Sequence, residues 1–186
     1  MRIISGTLKS RSLKYLRNSS TRPLKDNVRE SIFNVLEHSN LIQANIKKSK
    51  ILDLYSGIGS FGIESISRGA AEVTFIEKDE KASDILKENL IKLGIINKSK
   101  IYIKNIEDVL INNFKGKFHI FFLDPPFVDF NFLKNKKIIK KKKFFNKDPN
   151  VIIHREEKCE DQFVDILEVI EIKQYGRSKI IFGVFN

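Results

Sequence analysis

LDLYSGIGSFG, residues 52–62, reads as the end of a strand, a glycine-bearing turn and the start of a helix. Gly57, Gly59 and Gly62 make a literal G-x-G-x-x-G, a pattern that in this setting brings a ligand against backbone amides. Asp53 stands four residues before the first glycine, where its carboxylate would repel the pyrophosphate of a dinucleotide. S-adenosylmethionine carries no phosphate and presents a cationic ammonium and sulfonium. The stretch therefore points to that methyl donor, with Asp53 expected to attract its cationic end directly or through water. Ser56, Gly57 and Gly59 form the loop expected to hold it.

From Lys50 onward, apolar runs alternate with amphipathic ones. KILDLY, EVTFIE, KIYIKN, FHIFFLD and NVIIH read as strands, and FGIESISRG, EKASDILKENLIKLG and EDVLINNF as helices. Buried strands alternating with helices imply βαβ units and a parallel sheet. VIEIKQY and KIIFGVF close the chain, joined by GRS, a connection that only an antiparallel pair can use. Upstream, RIISG and RSLKYL suggest a β-hairpin. VRESIFNVLEH suggests a helix with Val28, Ile32 and Val35 or Leu36 on its apolar stripe and Arg29 off it. Asn27 and Glu30 have the spacing of a capping box at its start. Residues 1–45 are thus expected as an N-terminal extension and 46–186 as the main α/β domain.

Glu77 ends the second of these strands, twenty residues past Gly57. A carboxylate there accepts ribose hydroxyls, in a dinucleotide and in S-adenosylmethionine alike. Asn105 and Ile106 follow the third strand, where an amide can bond an adenine edge and an isoleucine can cover its face.

FFLDPPFVDF carries the chemistry. Asp124 ends an apolar strand, and Pro125 and Pro126 lock the backbone after it and remove two amide donors. An acidic acceptor, a free carbonyl and the aromatic Phe127 are set side by side, which suits a flat base bearing an exocyclic amine. An aryl amine is a poor nucleophile because its lone pair delocalises into the ring. Asp124 and the Pro125 carbonyl can accept its two hydrogens and turn the lone pair toward a sulfonium methyl, while Phe127 stacks on the displaced base. In doubly wound sheets such loops meet at the carboxyl strand ends where strand order reverses.

The chain has 186 residues, 41% hydrophobic, with 34 basic against 23 acidic residues and a net charge of +11. That excess favours a polyanionic partner, above all nucleic acid. Cys159 is the only cysteine, no His or Cys spacing suits a metal, and no apolar run is long enough for a membrane span. A cytoplasmic protein with no membrane partner is expected. One segment is compositionally biased, KNKKIIKKKKFFNK at 134–147. It follows Phe127 closely and is expected at the crevice rim, as solvated surface or as a flank that tracks phosphates through Lys140, Lys141 and Lys142.

These residues resemble the RsmD-type bacterial methyltransferases that modify the 2-amino group of guanine in small-subunit ribosomal RNA. MRIISGTLKSRSL, TRPLKDNVRESIFNVL, ILDLYSGIGSFGIESISRGA, VTFIEKDEKASDILKENL, LDPPF and YGRSKIIFGVF carry the resemblance over nearly the whole chain. It implies a seven-stranded Rossmann-like methyltransferase sheet and S-adenosylmethionine as donor. The implied product is a guanine methylated on its 2-amino group in 16S rRNA, naked or within an assembled particle. Thr21, Arg22 and Pro23 would then lie near the methionine end of the donor or at the RNA entrance. On charge alone, and apart from the resemblance, Arg11, Arg22 and Arg29 are expected as RNA contacts in the N-terminal region, and a monomer is expected. Leu24, Asn105, Phe127 and His154 depart from the family pattern, which has threonine, aspartate, tyrosine and an acid there. Amino methylation of DNA adenine or cytosine is a further reading of the D-P-P-F motif, and a catalytically silent RNA-binding assembly factor is another. A DNA enzyme usually needs a target-recognition region for which 186 residues leave no room.

Overall fold

The computed structural model describes residues 1–15, 24–42, 45–112, 114–127, 129, 132–159, 161, 163 and 166–185, with the backbone alone at 146–148. Seven strands form one sheet: β1 (Lys50–Leu54), β2 (Glu72–Glu77), β3 (Ser99–Ile103), β4 (Phe118–Leu123), β5 (Phe145–Glu156), β6 (Leu167–Tyr175) and β7 (Ser178–Phe185). Their spatial order is β3-β2-β1-β4-β5-β7-β6. The first five are parallel, and β7 pairs antiparallel with both β5 and β6. The expected seven-stranded methyltransferase sheet is what the chain forms.

Alternation along the strands divides the core into two layers. Ile51, Phe75, Ile120, Phe122 and Ile152 pack on one side with α1 (Asp26–His38), α2 (Ser60–Ser67) and α3 (Glu80–Lys92). Leu52, Leu54, Ile76, Phe121 and Ile153 pack on the other with α4 (Ile106–Ile111) and α5 (Phe132–Lys142). Asp53 follows Ile51 by two residues, so its carboxylate points toward α2. Ile3, Leu13 and Leu24 are buried in the same layer as α1.

Three details differ from the sequence reading. The N-terminal hairpin is reduced to one antiparallel bridge between Arg2 and Ser12. The amides of Ile4 and Ser5 donate instead to the Glu64 carboxylate at 2.8 and 2.9 Å, and that of Leu8 to Ser67 Oγ, so α2 takes the donors a ladder would use. The capping box does not form. Helix α1 begins at Asp26, Asn27 lies inside its first turn, and Lys25 at the N-cap makes no side-chain cap bond. The third difference is α5. It leaves the carboxyl end of β4 and runs back to the amino end of β5, as a parallel crossover must. Lys136, on its inner face, is fully buried, with Nζ over the rings of Phe132 and Phe163 at 4.6 and 4.0 Å. Burial lowers its ammonium pKa to about 7. Among the described residues no helix is long and apolar enough to cross a membrane.

Candidate active site

A cleft of about 1250 Å³ opens at the carboxyl ends of the parallel strands. It lies across the β1/β4 boundary, where the strand order reverses, the usual ligand position in such sheets. Tyr55, Ser56 and Gly57 line it from the β1–α2 turn, Glu77 from β2, Asn105 and Ile106 beyond β3, and Asp124–Phe127 beyond β4. His154 of β5 and the Tyr175–Ser178 turn close the far wall. Donor loop and D-P-P-F loop therefore face one crevice, as the strand-end reading requires.

The three glycines do different work. Gly57 has φ +53°, and a Cβ there would meet nothing within 4 Å. Its surface is open for a ligand to touch. Gly59, at φ +81°, does not line the cleft; a Cβ there would lie 2.3 Å from Leu86 Cδ1. Its expected role in donor contact is replaced by one in packing, and Gly62 likewise lies against Phe75.

Asp53 also moves out of direct contact. It is 1% exposed and absent from the cleft wall, because the alternation of β1 turns it beneath the loop. Oδ2 accepts from the Gly62 amide at 3.0 Å, which fixes the first turn of α2. Oδ1 is buried with no partner among the described residues. Burial pushes its pKa well above the usual carboxylate range, and the like charges of Asp124 and Glu77 add to that.

Glu77 occupies the position expected of it. Oε2 accepts from the Gly57 amide at 2.8 Å and Oε1 from the Asp79 amide at 2.9 Å. Each oxygen keeps a further lone pair for a hydroxyl. One carboxylate thus holds the loop and faces the cleft. The adenine-side pair splits: Ile106 is buried, whereas Asn105 is exposed and donates to Asp108 Oδ2 at 3.4 Å. Ser56 Oγ is buried without a partner among the described residues. An open Gly57, an orphaned Ser56 hydroxyl and the Glu77 carboxylate fit a ligand with ribose hydroxyls and a polar tail. Glu77→Ala is expected to weaken donor affinity by roughly 1.5–3 kcal/mol, the worth of hydrogen bonds to a charged group; titration calorimetry with S-adenosylmethionine measures it.

The D-P-P-F loop is held by residues that sequence reasoning did not assign. Arg155 is fully buried and donates from Nη1 to the Pro126 carbonyl and from Nη2 to the Phe127 carbonyl, both at 3.1 Å. Its Nε donates to Asp161 Oδ2 at 2.9 Å, and its guanidinium lies 4.6 Å from the Phe132 ring centroid. No donor reaches the Pro125 carbonyl among the described residues. Asp124 meets His154, whose Nδ1 lies 2.7 Å from Oδ1. The polar HRE ending an apolar strand was the available signal for His154 and Arg155. YGRS gave no sign, beyond its turn composition, that Tyr175, Arg177 and Ser178 would line the cleft.

The expected RNA contacts fare differently. Thr21, Arg22 and Pro23 lie outside the described residues. Arg29 is fully buried, donating to the Arg2 carbonyl and to Asp26 and lying 3.7 Å from Glu64, so it braces the N-terminal segment and does not face RNA. Burial lowers its pKa. Arg11 is exposed but sits on the turn that bonds Ser67 at the end of α2, outside the cleft wall. Lys140, Lys141 and Lys142 are not at the rim. Only Lys134 and Asn135, at the start of α5, reach it. About 1.5 Å of rise per residue carries the rest toward the amino edge of the sheet, where Lys142 Nζ donates to the Ile111 carbonyl at 2.7 Å.

The chain matches the family described as Conserved hypothetical protein 95 over residues 1–184. It is 40% identical to YlbH of Bacillus subtilis over 129 residues, 68% of this chain and 67% of that one. It is 39% identical over 127 residues to ribosomal RNA small subunit methyltransferase D of Buchnera aphidicola (subspecies Baizongia pistaciae), 68% of this chain and 61% of that protein. The chain belongs to the RsmD methyltransferase family. The solved structure of yhhF from Escherichia coli superposes with a TM-score of 0.84 at 26% identity, covering 100% of this chain and 98% of that one. The RsmD family consists of S-adenosylmethionine-dependent methyltransferases, so the enzyme class and the methyl donor stand as expected.

Proposed function

We propose that this protein transfers a methyl group from S-adenosylmethionine to the exocyclic 2-amino group of a guanine in small-subunit ribosomal RNA, working as a monomer on naked rRNA or an assembled particle. The observation that carries this reading is the pairing of Asp124 and the unbonded Pro125 carbonyl, two acceptors facing the same cleft as Gly57 and Glu77. Two acceptors side by side match the two hydrogens of an exocyclic amine. RsmD relatives named for small-subunit rRNA give the substrate class.

When bound, the donor supplies an electrophilic methyl on a sulfonium. The chain's own residues supply placement. Glu77 receives ribose hydroxyls, Ile106 covers an adenine face, and Phe127 stacks on the displaced guanine. Asp124 and the Pro125 carbonyl orient its amine. Positioning and charge complementarity account for the acceleration. Lys25, Lys78, Lys104, Lys134 and Arg177 lie on the cleft wall and are the basic side chains placed to meet phosphates there. Small-subunit rRNA from cells lacking this protein, naked and as assembled particles, should gain one N2-methylguanosine when incubated with enzyme and donor. Mass spectrometry of nuclease-digested nucleosides detects it. A methylated adenosine or cytidine in its place would overturn the guanine assignment, and no methylated nucleoside would overturn the reading itself.

A further inference from the structure

We propose that His154 is a positioning residue for methyl transfer, acting through a Ser178–His154–Asp124 hydrogen-bond chain that aims the Asp124 carboxylate. The inference rests on the amine-methylating reading above and adds to it a residue.

The chain joins three strand ends. His154 Nδ1 lies 2.7 Å from Asp124 Oδ1, and Nε2 lies 3.0 Å from Ser178 Oγ. A carboxylate only accepts, so the hydrogen of the short contact belongs to Nδ1. Nε2 of the neutral ring then accepts the Ser178 hydroxyl hydrogen. Oδ1 of Asp124 is thereby engaged, and Oδ2 is left for the amine. The His154 and Asp124 side chains are 11% and 21% exposed, so these bonds are little weakened by water. Phe127 meets the imidazole edge-on, with centroids 5.8 Å apart and planes at 80°, so base plate and carboxylate are braced by one ring.

The groups facing the imidazole are few. Asp124 comes from the end of β4, Phe127 from the loop after it, and Ser178 from β7. Tyr175 and Arg177 line the same cleft from the β6–β7 turn. Arg155, next along β5, is directed to the Pro126 and Phe127 carbonyls. Among the described residues, Asp124 is the ionisable side chain bonded to His154.

In the reaction a nitrogen–carbon bond forms while the methyl–sulfur bond breaks. The electron pair stays on sulfur, leaving a neutral thioether. The nitrogen, now cationic, releases one proton to Oδ2 of Asp124. The Nδ1 hydrogen bond keeps that carboxylate turned to receive it. His154 is the one histidine on the cleft wall.

Single-turnover rates at saturating donor and RNA test this. His154→Leu should lower the rate about 100-fold or more, within the range for groups that assist proton transfer, with affinity for S-adenosylhomocysteine changed less than about twofold. His154→Asn places an amide donor near the Nδ1 position and should recover the rate to within about fivefold of wild type. A His154→Leu rate above about a third of wild type, or a His154→Asn rate as low as that of His154→Leu, would overturn the inference. If His154→Leu does not fold, His154→Ala under the same assay takes its place. Wild-type enzyme that methylates no guanine would sink the underlying reading, a result separate from any of these.

Discussion

Asp124→Ala should abolish methyl transfer while leaving affinity for S-adenosylhomocysteine nearly intact. The residues proposed to hold the donor line the cleft from other strand ends: Gly57 and Ser56 beyond β1, Glu77 at the end of β2, Ile106 beyond β3. Asp124 stands across the cleft, with one oxygen against His154 and the other proposed to meet the amine. Without it the amine keeps one acceptor, the Pro125 carbonyl, and its lone pair stays delocalised in the base. Removing one preorganised electrostatic partner of a transition state commonly costs about 10²–10³ in rate. The same substitution also removes the immediate proton acceptor, so a loss at the upper end or beyond is expected. Single-turnover kinetics with saturating RNA separate this from weaker binding. A variant that keeps more than about a tenth of the wild-type rate would mean that less than 1.4 kcal/mol of barrier lowering passes through Asp124, too little for the role assigned to it. The demethylated product is the right probe of affinity, because it lacks the sulfonium charge to which a cleft carboxylate responds.

How far the sequence could be read depends on how local each cause is. The sheet was legible because β1, β2 and β4 are apolar on both faces, which only a covered parallel sheet allows. The place of Glu77 was legible for a similar reason: a carboxylate ending a strand beside a glycine turn falls against that turn's amides, and it bonds the amides of Gly57 and Asp79. Asp53 misled because its spacing to Gly57 says nothing about which face of β1 it occupies. The side-chain alternation that buries Ile51 against α2 carries Asp53 there too. Arg29 misled because position off an apolar stripe normally means solvent, but the N-terminal segment covers that flank and its Arg2 carbonyl meets the guanidinium. The lysine run misled because nearness in sequence to Phe127 was taken for nearness in space, whereas α5 travels the full depth of the sheet. His154 and Arg155 went unassigned since their partners lie about thirty residues away, at Asp124 and at the Pro126 and Phe127 carbonyls. Long-range hydrogen bonds leave no periodic trace.

Arg155→Leu is expected to cost about 3–5 kcal/mol of stability, the usual result of removing one partner of a buried ion pair. Its partner Asp161 has a side chain 1% exposed, with Oδ1 already lacking a hydrogen bond among the described residues. Leucine would leave that carboxylate buried without its hydrogen-bonded partner, with Lys136 as the remaining nearby cation, and would strip donors from two carbonyls of the D-P-P-F loop. Urea unfolding measures the first effect. The second should appear as a loss of methyl transfer in conditions where the variant is still folded, because Pro126 and Phe127 would no longer be held. Arg155→Lys should rescue little. A single ammonium cannot reproduce a planar fork that serves Pro126, Phe127 and Asp161 at once while lying on the Phe132 ring. Combining Arg155→Leu with Asp161→Leu isolates the ion pair. The double variant should be more stable than the sum of the single losses predicts, by about 0.5–3 kcal/mol, since neither charge is then stranded. Methyl transfer should stay low in that double variant, because leucine still gives the two carbonyls no donor. Recovery of activity together with stability would mean that Arg155 serves only to neutralise Asp161 and that the proline pair holds the loop by itself.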